Sequence, residues 1–224
     1  MYKQNMMKAL EIRKIHAAVT AAVDVPAVLD NAGIDFERID RVDWPAEFPY
    51  KPLVTFRLAH TGSHILLHYR VEEQTVRAVA SRDNDSVWED SCCEFFIQPE
   101  AAGAYYNIET NCAATVLLAH GKGREQRQHA AQAVLDTVLR WSSLGRTPFE
   151  EQTAPPMWEM ALVIPTTVFF ANAISDLSGR TMRGNFYKCG DKLSVPHFLS
   201  WAPIDTPSPD FHRPEFFGLL HFLP

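Results

Sequence analysis

The chain has 224 residues, of which 46% are hydrophobic and 11% aromatic, and its formal net charge is -6 at pH 7. This length and composition are typical of one domain with a full core, and all-β sandwiches often reach this size without dividing. The negative charge argues against nucleic-acid binding, because a phosphate-binding surface is normally basic. We therefore expect residues 1–224 to form one domain, with residues 1–45 as a lead-in of undetermined structure.

The sequence contains no run of about eighteen apolar residues, so no transmembrane helix is predicted. Its start lacks the uninterrupted apolar segment of a signal peptide, since Asp24 interrupts the small-residue stretch 17–25. As written, the chain is expected to be cytoplasmic, and its oligomeric state is left open. The cysteines show no C-x-x-C spacing, so we expect buried free thiols.

The first predicted elements are a lead-in and a hairpin. Positions 3–22 fit a short helix or an irregular segment. Trp44-Pro45 marks the end of the lead-in. Strands are predicted at 53–59 and 64–71, joined by a turn at Gly62, and at 75–80. The histidines at 60, 64 and 68 recur at four-residue steps, but the Gly62 turn excludes a helix there. No metal site is predicted.

Further strands follow a polar loop at 81–86. They are predicted at 91–98, 105–111, 114–119, 157–165, 183–189, 197–204 and 216–222. Apolar residues at three- and four-residue steps predict one amphipathic helix over 127–144. A short helical turn is expected at 166–171 and a proline-rich loop at 203–214. Nine to eleven strands with one short helix indicate an all-β, two-sheet antiparallel β-sandwich, jelly-roll-like in architecture.

Trp88 and Glu94 are the first candidate binding residues. A turn carrying Trp88 leads into a strand in which Glu94 interrupts an apolar run, and a carboxylate is costly to bury unless it is paired. An indole ring can stack on a pyranose while a carboxylate accepts from its hydroxyls. The alternative is a tryptophan at the core edge and a glutamate paired with an arginine.

Asn107, Glu109 and Asn111 share one face of the predicted strand 105–111, because alternate residues of a strand point the same way. They indicate either a polar cleft or a solvent-facing sheet surface. The C-terminal part is rich in side chains able to recognise polyols, namely Arg183, Asn185, Lys188, Asp191, Trp201, His212 and Arg213.

Four segments together resemble the carbohydrate-binding modules of family nine. They are W-E-D-S-x-x-E-F-F-I from Trp88, N-F-Y-K-C-G-D from Asn185, H-F-L-S-W from His197 and D-F-H-R-P-E-F-F-G from Asp210. The resemblance covers roughly residues 50 to 224. It implies a β-sandwich from a wider superfamily in which some members bind haem and others sugars.

The resemblance also implies a binding site in which two aromatic residues enclose a terminal sugar and polar side chains hold its hydroxyls. Trp88 matches the first aromatic residue and Glu94 the acidic residue. Phe211 stands where the second aromatic residue is tryptophan, and Glu109 stands where the family carries an arginine, which reverses the charge. The predicted ligand-binding set is Trp88, Glu94, Glu109, Asn111, Arg183, Asn185, Trp201, Phe211 and Arg213.

The family's sugar-binding members carry structural calcium, and here Asp83, Asp85 and Asp90 are candidate oxygen ligands, although no Asp-rich loop defines a site. No other cofactor is predicted. The predicted function is non-catalytic recognition of a mono- or oligosaccharide, with no nucleic-acid or membrane partner. Two alternatives stay open: a glycoside hydrolase using Glu94 and Glu109 as paired carboxylates, and haem binding through a histidine and one of Met157, Met160 and Met182.

Overall fold

The computed structural model describes residues 7–224, which form sixteen β-strands and two α-helices. The strands are β1 (Ala9–Ile12), β2 (Glu37–Arg38), β3 (Arg41–Val42), β4 (Leu53–His60), β5 (His64–Glu72), β6 (Thr75–Ala78), β7 (Cys92–Gln98), β8 (Tyr105–Asn111), β9 (Val116–Gly121), β10 (Gln128–His129), β11 (Leu139–Ser142), β12 (Phe149–Thr153), β13 (Trp158–Pro165), β14 (Thr181–Cys189), β15 (Phe198–Ser200) and β16 (Gly218–Phe222). The helices are α1 (Val25–Asn31) and α2 (Gln132–Leu135). No helix within these residues is long and apolar enough to cross a membrane.

Two sheets make up most of the fold. The large sheet has the strand order β1-β16-β14-β7-β8-β9-β10, and β15 joins β14 to β3. The small sheet has the order β11-β13-β5-β4-β2, and β12 pairs with β6 beside them. Apart from the parallel pair β1–β16, neighbouring strands run antiparallel. The predicted fold class, an all-β antiparallel sandwich of two sheets, is confirmed.

The core lies between the facing surfaces of the two sheets. Phe56 on β4 stacks on Phe186 on β14 with ring centroids 3.9 Å apart, and Phe186 stacks on Phe95 on β7 at 4.6 Å. All three rings are fully buried. Burial of each phenylalanine contributes roughly 2–3 kcal/mol through the hydrophobic effect. Because alternate strand residues share a face, this core fixes which residues of β7 and β14 point away from it.

The lead-in packs on the outer face of the small sheet. Val25 and Leu29 of α1 are buried against Ala59, Leu66 and Ala161 on that face. Short strands of the lead-in also join the sheets, since β1 pairs with β16, β2 with β4 and β3 with β15. Of the predicted segment 3–22, positions 3–6 lie outside the described residues, and the rest contains β1 but no α-helix.

The helix predicted over 127–144 is wrong. That segment contains β10, the four-residue α2 and β11. The apolar residues at helical spacing belong to different surfaces, because Leu135 and Val138 enter the core whereas Trp141 packs on the outer face of the small sheet. Pairing of β11 with β13 provides hydrogen-bond partners for the backbone of residues 139–142. These tertiary contacts override the helical pattern of the local sequence. The helical turn expected at 166–171 is a single 3₁₀ turn, Thr166–Val168.

Candidate ligand-binding site

A cavity of about 640 Å³ lies over the outer face of the large sheet, on the side away from the core. The floor is formed by outward-pointing residues of β7, β8, β9 and β14, whereas their neighbours Phe95 and Ile108 point into the core. Its volume is in the range of small-molecule sites, about 300–1,000 Å³. The floor residues are Glu94, Asn107, Glu109, Leu117, Ala119 and Cys189.

The walls of the cavity come from segments that are far apart in the chain. The 3₁₀ turn Val87–Glu89 before β7 supplies Trp88, and the segment after β9 supplies several polar side chains. Residues around β15 and the proline-rich loop complete the rim. The wall residues are Trp88, Arg124, Gln126, Arg127, His129, Asp191, Phe198, Pro209, Asp210, Phe211 and His212.

The two aromatic candidates differ in the ring surface that they offer. Trp88 is 37% exposed, and its turn is held in place by a hydrogen bond from the backbone N–H of Asp191 to its carbonyl oxygen, 3.3 Å long. Phe211 is only 7% exposed and stacks on Tyr187, with centroids 4.2 Å apart and ring planes 5° from parallel. Trp88 is therefore the aromatic wall residue with the larger free surface.

Glu94 and Glu109 are directly opposite each other in the register of β7 and β8, and both are buried. Asn107 donates from Nδ2 to Oε1 of Glu109 at 2.7 Å, and the Cys189 thiol donates to Oε1 of Glu94 at 3.0 Å. Burial and the neighbouring Glu109 raise the pKa of Glu94 well above its ordinary range. Burial, opposed by the Asn107 hydrogen bond, raises the pKa of Glu109 to about 7. At neutral pH this floor consequently holds at least one exchangeable proton.

Arg127 organises the segment between β9 and β10. Its Nε donates to Oδ1 of Asn107 at 2.9 Å, and its Nη atoms donate to the carbonyl oxygens of Gly123 at 2.7 Å and Tyr105 at 2.8 Å. Its guanidinium also lies 4.3 Å from the centroid of the Tyr105 ring. Arg127 thus fixes the wall, while Arg124 is 64% exposed at the rim and lies 3.6 Å from the carboxylate of Asp210.

The structure brings four of the nine predicted site residues to the cavity and places five elsewhere. The four are Trp88, Glu94, Glu109 and Phe211. The other five are Asn111, Arg183, Asn185, Trp201 and Arg213, and each has contacts within the fold that account for its polar group.

Asn111 and Asn185 are buried and bind neighbouring backbone. Asn111 donates to Oδ2 of Asp90 at 2.9 Å and accepts from the N–H of Thr115 at 2.9 Å, which shapes the turn between β8 and β9. Asn185 donates to the carbonyl oxygen of Ala202 at 2.9 Å and accepts from its N–H at 2.8 Å. Both amides therefore hold loops to the large sheet.

The other three residues also lie away from the cavity. Trp201 is fully buried in the core and donates from Nε1 to Glu37 at 3.2 Å. Arg183 donates to the carbonyl oxygen of Glu215 at 3.2 Å. Arg213 donates from Nε to the carboxylate of the same Glu215 at 2.8 Å.

No sequence motif indicates a role for Arg124 or Arg127. The apolar residues after Arg127 recur at three- and four-residue steps, so the sequence predicts Arg127 at the start of a helix. Gly121 and Gly123 just before it, however, are typical of a loop between strands. In the sequence, His212 is one of several C-terminal side chains able to recognise polyols. Its Nδ1 lies 2.7 Å from the Tyr105 hydroxyl, and burial lowers its pKa to about 3, so the ring is neutral.

Two of the three candidate calcium ligands, Asp83 and Asp90, are already engaged within the fold. Asp83 pairs with Arg140 and accepts from the N–H of Val116 at 3.1 Å. Asp90 lies 3.3 Å from Arg77 and accepts three hydrogen bonds, from the N–H groups of residues 79 and 80 and from Asn111. A calcium ion needs six to eight free oxygen ligands, whereas these carboxylates are already occupied by cations and N–H donors.

Cys92, Glu94 and Cys189 offer potential metal-ligand atoms within 4.8 Å of one another. Burial raises the pKa of Cys92 to about 12 and that of Cys189 well above its ordinary range. Metal binding requires thiolates. At neutral pH these thiols are protonated, so a metal ion would have to displace their protons on binding.

A sandwich whose outer face carries an exposed tryptophan above buried carboxyl and amide groups has the features of a small-molecule binding module. The family model described as Carbohydrate-binding family 9 matches residues 23–222, and the chain belongs to this family. The resemblance predicted from the sequence motifs is confirmed, as is the function of a non-catalytic carbohydrate-binding domain.

Several solved structures are similar to the chain. One is a protein from Bacteroides uniformis whose assignment as carbohydrate-binding is itself provisional: it is 52% identical, the match covers 96% of this chain and 99% of that chain, and the TM-score is 0.93. A family 9 module from Caldicellulosiruptor kristjanssonii in complex with glucose is 12% identical over 96% of this chain and 95% of that chain, with a TM-score of 0.61. The same organism's module in complex with cellotriose is 12% identical over 96% and 94%, with a TM-score of 0.63. At 12% identity, the similarity to the two Caldicellulosiruptor structures establishes the fold alone. No curated protein matches the sequence.

Proposed function

We propose that the cavity on the outer face of the large sheet is the carbohydrate site of this chain, and that it takes a mono- or oligosaccharide. Trp88 would stack on a sugar ring, while Glu94 and Glu109 would accept hydrogen bonds from its hydroxyls. The observation that carries the proposal is the position of an exposed indole ring beside buried carboxyl groups in one cavity. A pyranose has both an apolar face and a ring of hydroxyls, so it complements this pair of features.

The Cys189 contact and the Asn107 contact hold the two carboxyl groups in place before a ligand enters. Such preorganisation supports specific binding, because fewer side chains lose rotamer freedom when the sugar arrives. Arg127 adds to it by fixing the wall next to Asn107. Phe211 also lines the site, with its ring largely covered by Tyr187. We therefore assign it a role in shaping the wall rather than in stacking over a broad surface.

Titration calorimetry with glucose and cellotriose, the ligands present in the similar Caldicellulosiruptor structures, is the first test. A glycan array extends it to other sugars and to both anomers. We expect saturable binding of at least one mono- or oligosaccharide, with competition between ligands for one site. A folded protein that binds no sugar on the array and gives no heat with these two would overturn the proposal.

The geometry of the glutamate pair favours binding over hydrolysis. Directly opposite residues of antiparallel strands have Cβ atoms about 5 Å apart and point the same way from the sheet. Glu94 and Glu109 therefore approach a ligand from the same side, whereas glycosidases use two carboxyl groups that flank the scissile bond. A screen with activated aryl glycosides is expected to show no turnover. Turnover that disappears in Glu94→Gln would instead support the hydrolase.

The haem alternative lacks a site at this cavity. Met160 and Met182 are packed in the core between the sheets, and Met157 is exposed near the start of β13. None of the three lines the cavity. Addition of haem is expected to give no Soret band of a ligated protein complex.

A further inference from the structure

The floor of the cavity brings two acidic side chains together without a cation between them. Glu94 and Glu109 are cross-strand partners and both are buried. Like charges in directly opposite positions repel each other, and the repulsion is stronger where water is excluded. The pair must therefore hold a proton or accept a positive charge from outside.

Some carboxyl oxygens of this pair have no strong hydrogen-bond donor within the described residues. Oε1 of Glu109 accepts from Asn107, but its buried Oε2 has no hydrogen-bond partner among residues 7–224. Oε1 of Glu94 accepts a hydrogen bond only from the thiol of Cys189, which is a weak donor. Buried carboxyl oxygens normally find donors, so this floor presents acceptor sites to whatever enters the cavity.

The nearby cations are committed elsewhere. Each nitrogen group of Arg127 donates to Asn107 or to backbone carbonyl oxygens. Arg124 is mostly exposed and lies near Asp210. Lys188 follows Tyr187, the β14 partner of Glu94, but it points into the interior and pairs with Glu73. No salt bridge within the described part of the chain joins a cation to Glu94 or Glu109.

The titration behaviour of the cavity agrees with this geometry. Burial raises the pKa of Glu94 well above its ordinary range, that of Glu109 to about 7 and that of Asp191 to about 6. Arg124 and Arg127 oppose the shift of Glu109 only in part. The floor therefore carries protons near neutral pH that an entering cation can replace.

We propose that the cavity is selective for an amino sugar, whose ring stacks on Trp88 while its ammonium group lies between Glu94 and Glu109. This inference rests on the proposed function, that the cavity is a sugar site. An ammonium group has three donors, enough for both carboxyl groups, and it supplies the positive charge that the fold does not. A hydroxyl group in the same position donates one hydrogen bond and supplies no charge.

The test is titration calorimetry at pH 7.5 with matched pairs of sugars: glucose and glucosamine, galactose and galactosamine, mannose and mannosamine. N-Acetylglucosamine is included because it retains the nitrogen but not the charge. In at least one pair we expect the amine to bind about tenfold tighter or more, as for charge-assisted hydrogen bonds in a dry site. We expect the advantage to be absent for N-acetylglucosamine.

Glu109→Gln is expected to reduce the ratio of amine to neutral-sugar affinity to about one. Glu150→Gln is the matched control, because it removes an equal charge from an exposed residue of β12 outside the cavity. A second measurement uses only the unaltered protein. At pH 6.5, binding of the ammonium form should release a proton from the Glu109 carboxyl group, seen as a binding enthalpy that depends on the ionisation heat of the buffer.

The possible failures are distinguishable. If neutral sugars bind and no amine binds tighter than its partner, the inference is overturned while the proposed function stands. If none of these monosaccharides binds but another glycan on the array does, the inference is likewise overturned, and if nothing on the array binds, the proposed function itself fails. A preference for the amine that persists in folded Glu109→Gln, or that occurs without proton release at pH 6.5, also overturns the inference.

Discussion

The Nζ atom of Lys188 lies 2.8 Å from Oε2 of Glu73, and both side chains are completely buried. Lys188 precedes Cys189 of the cavity floor, so it points to the opposite face of β14, into the interior. Burial by itself lowers the pKa of Lys188, but the charge of Glu73 outweighs this effect and the pKa is raised. The interior beneath the cavity thus contains a matched ion pair, whereas the cavity floor contains an unmatched acidic pair.

Lys188→Met is expected to lower the free energy of unfolding by roughly 3–5 kcal/mol, because it leaves the carboxylate of Glu73 buried without its partner. Urea denaturation at pH 7 measures the loss. The control is Lys192→Met, which breaks a pair with Glu89 that is 2.9 Å long but largely exposed, and should cost about 1 kcal/mol or less. Equal losses in the two variants would contradict the buried-pair interpretation.

Trp88→Ala is expected to weaken sugar binding by roughly 2 kcal/mol or more, about thirtyfold in affinity, because it removes the exposed stacking surface. Calorimetry with the tightest-binding sugar of the array measures the change. Trp141→Ala provides a control, since Trp141 lies on β11 of the small sheet and does not line the cavity. Unchanged affinity in Trp88→Ala would show that the sugar does not stack on Trp88.

The raised pKa of Glu109 predicts a pH dependence of stability. Between its ordinary pKa of 4.5 and the folded value of about 7, the folded state keeps a proton that the unfolded state has lost. The contribution of Glu109 to stability therefore falls as pH rises through this window, by at most roughly 1.4 kcal/mol per pH unit.

Glu109→Gln cannot ionise, so its stability relative to the unaltered protein should increase from pH 5 to pH 8. Urea denaturation of both proteins at several pH values gives this difference, with Glu150→Gln, a change at an exposed position, as the control. A difference that stays constant over the window would mean that Glu109 is not held in its protonated form.

Arg127→Met should loosen the segment between β9 and β10, because it removes the hydrogen bonds that join this segment to Asn107 and Tyr105 of β8 and to Ala119 of β9, and one to Gly123 within the segment. We expect trypsin to cleave after Lys122 roughly tenfold faster, since each lost hydrogen bond makes local opening easier. Mass spectrometry of the fragments locates the cut. Arg124→Met, at the exposed rim, should leave the rate unchanged, and an equal rate in both variants would show that Arg127 does not hold the wall.

The sequence allows the sandwich to be predicted because several strands have clear hairpins and alternation. The turn at Gly62 between β4 and β5 is one such signal. Glu94 could also be found, because a carboxylate within an apolar strand needs an explanation. Trp88 stands out by its position in the turn just before that strand.

The remainder of the site depends on information that a single strand does not carry. β7 and β8 are buried at every position and β14 is buried from Gly184 to Cys189, because one face lies on the core and the other is covered by loops. Burial on both faces removes the usual alternation, so the side to which Lys188 or Asn185 points could not be inferred. The walls come from distant segments around Arg127 and Phe211, and their meeting is a property of the topology rather than of either segment.

The pairing of β1 with β16 joins residues from nearly opposite ends of the chain, Ala9 with Leu219. During synthesis β1 has no strand partner until residues 218–222 have left the ribosome. Contacts of such large sequence separation form slowly. Completion of this edge of the large sheet is therefore expected among the last steps of folding, after β14, β7 and β8 have brought the cavity floor together.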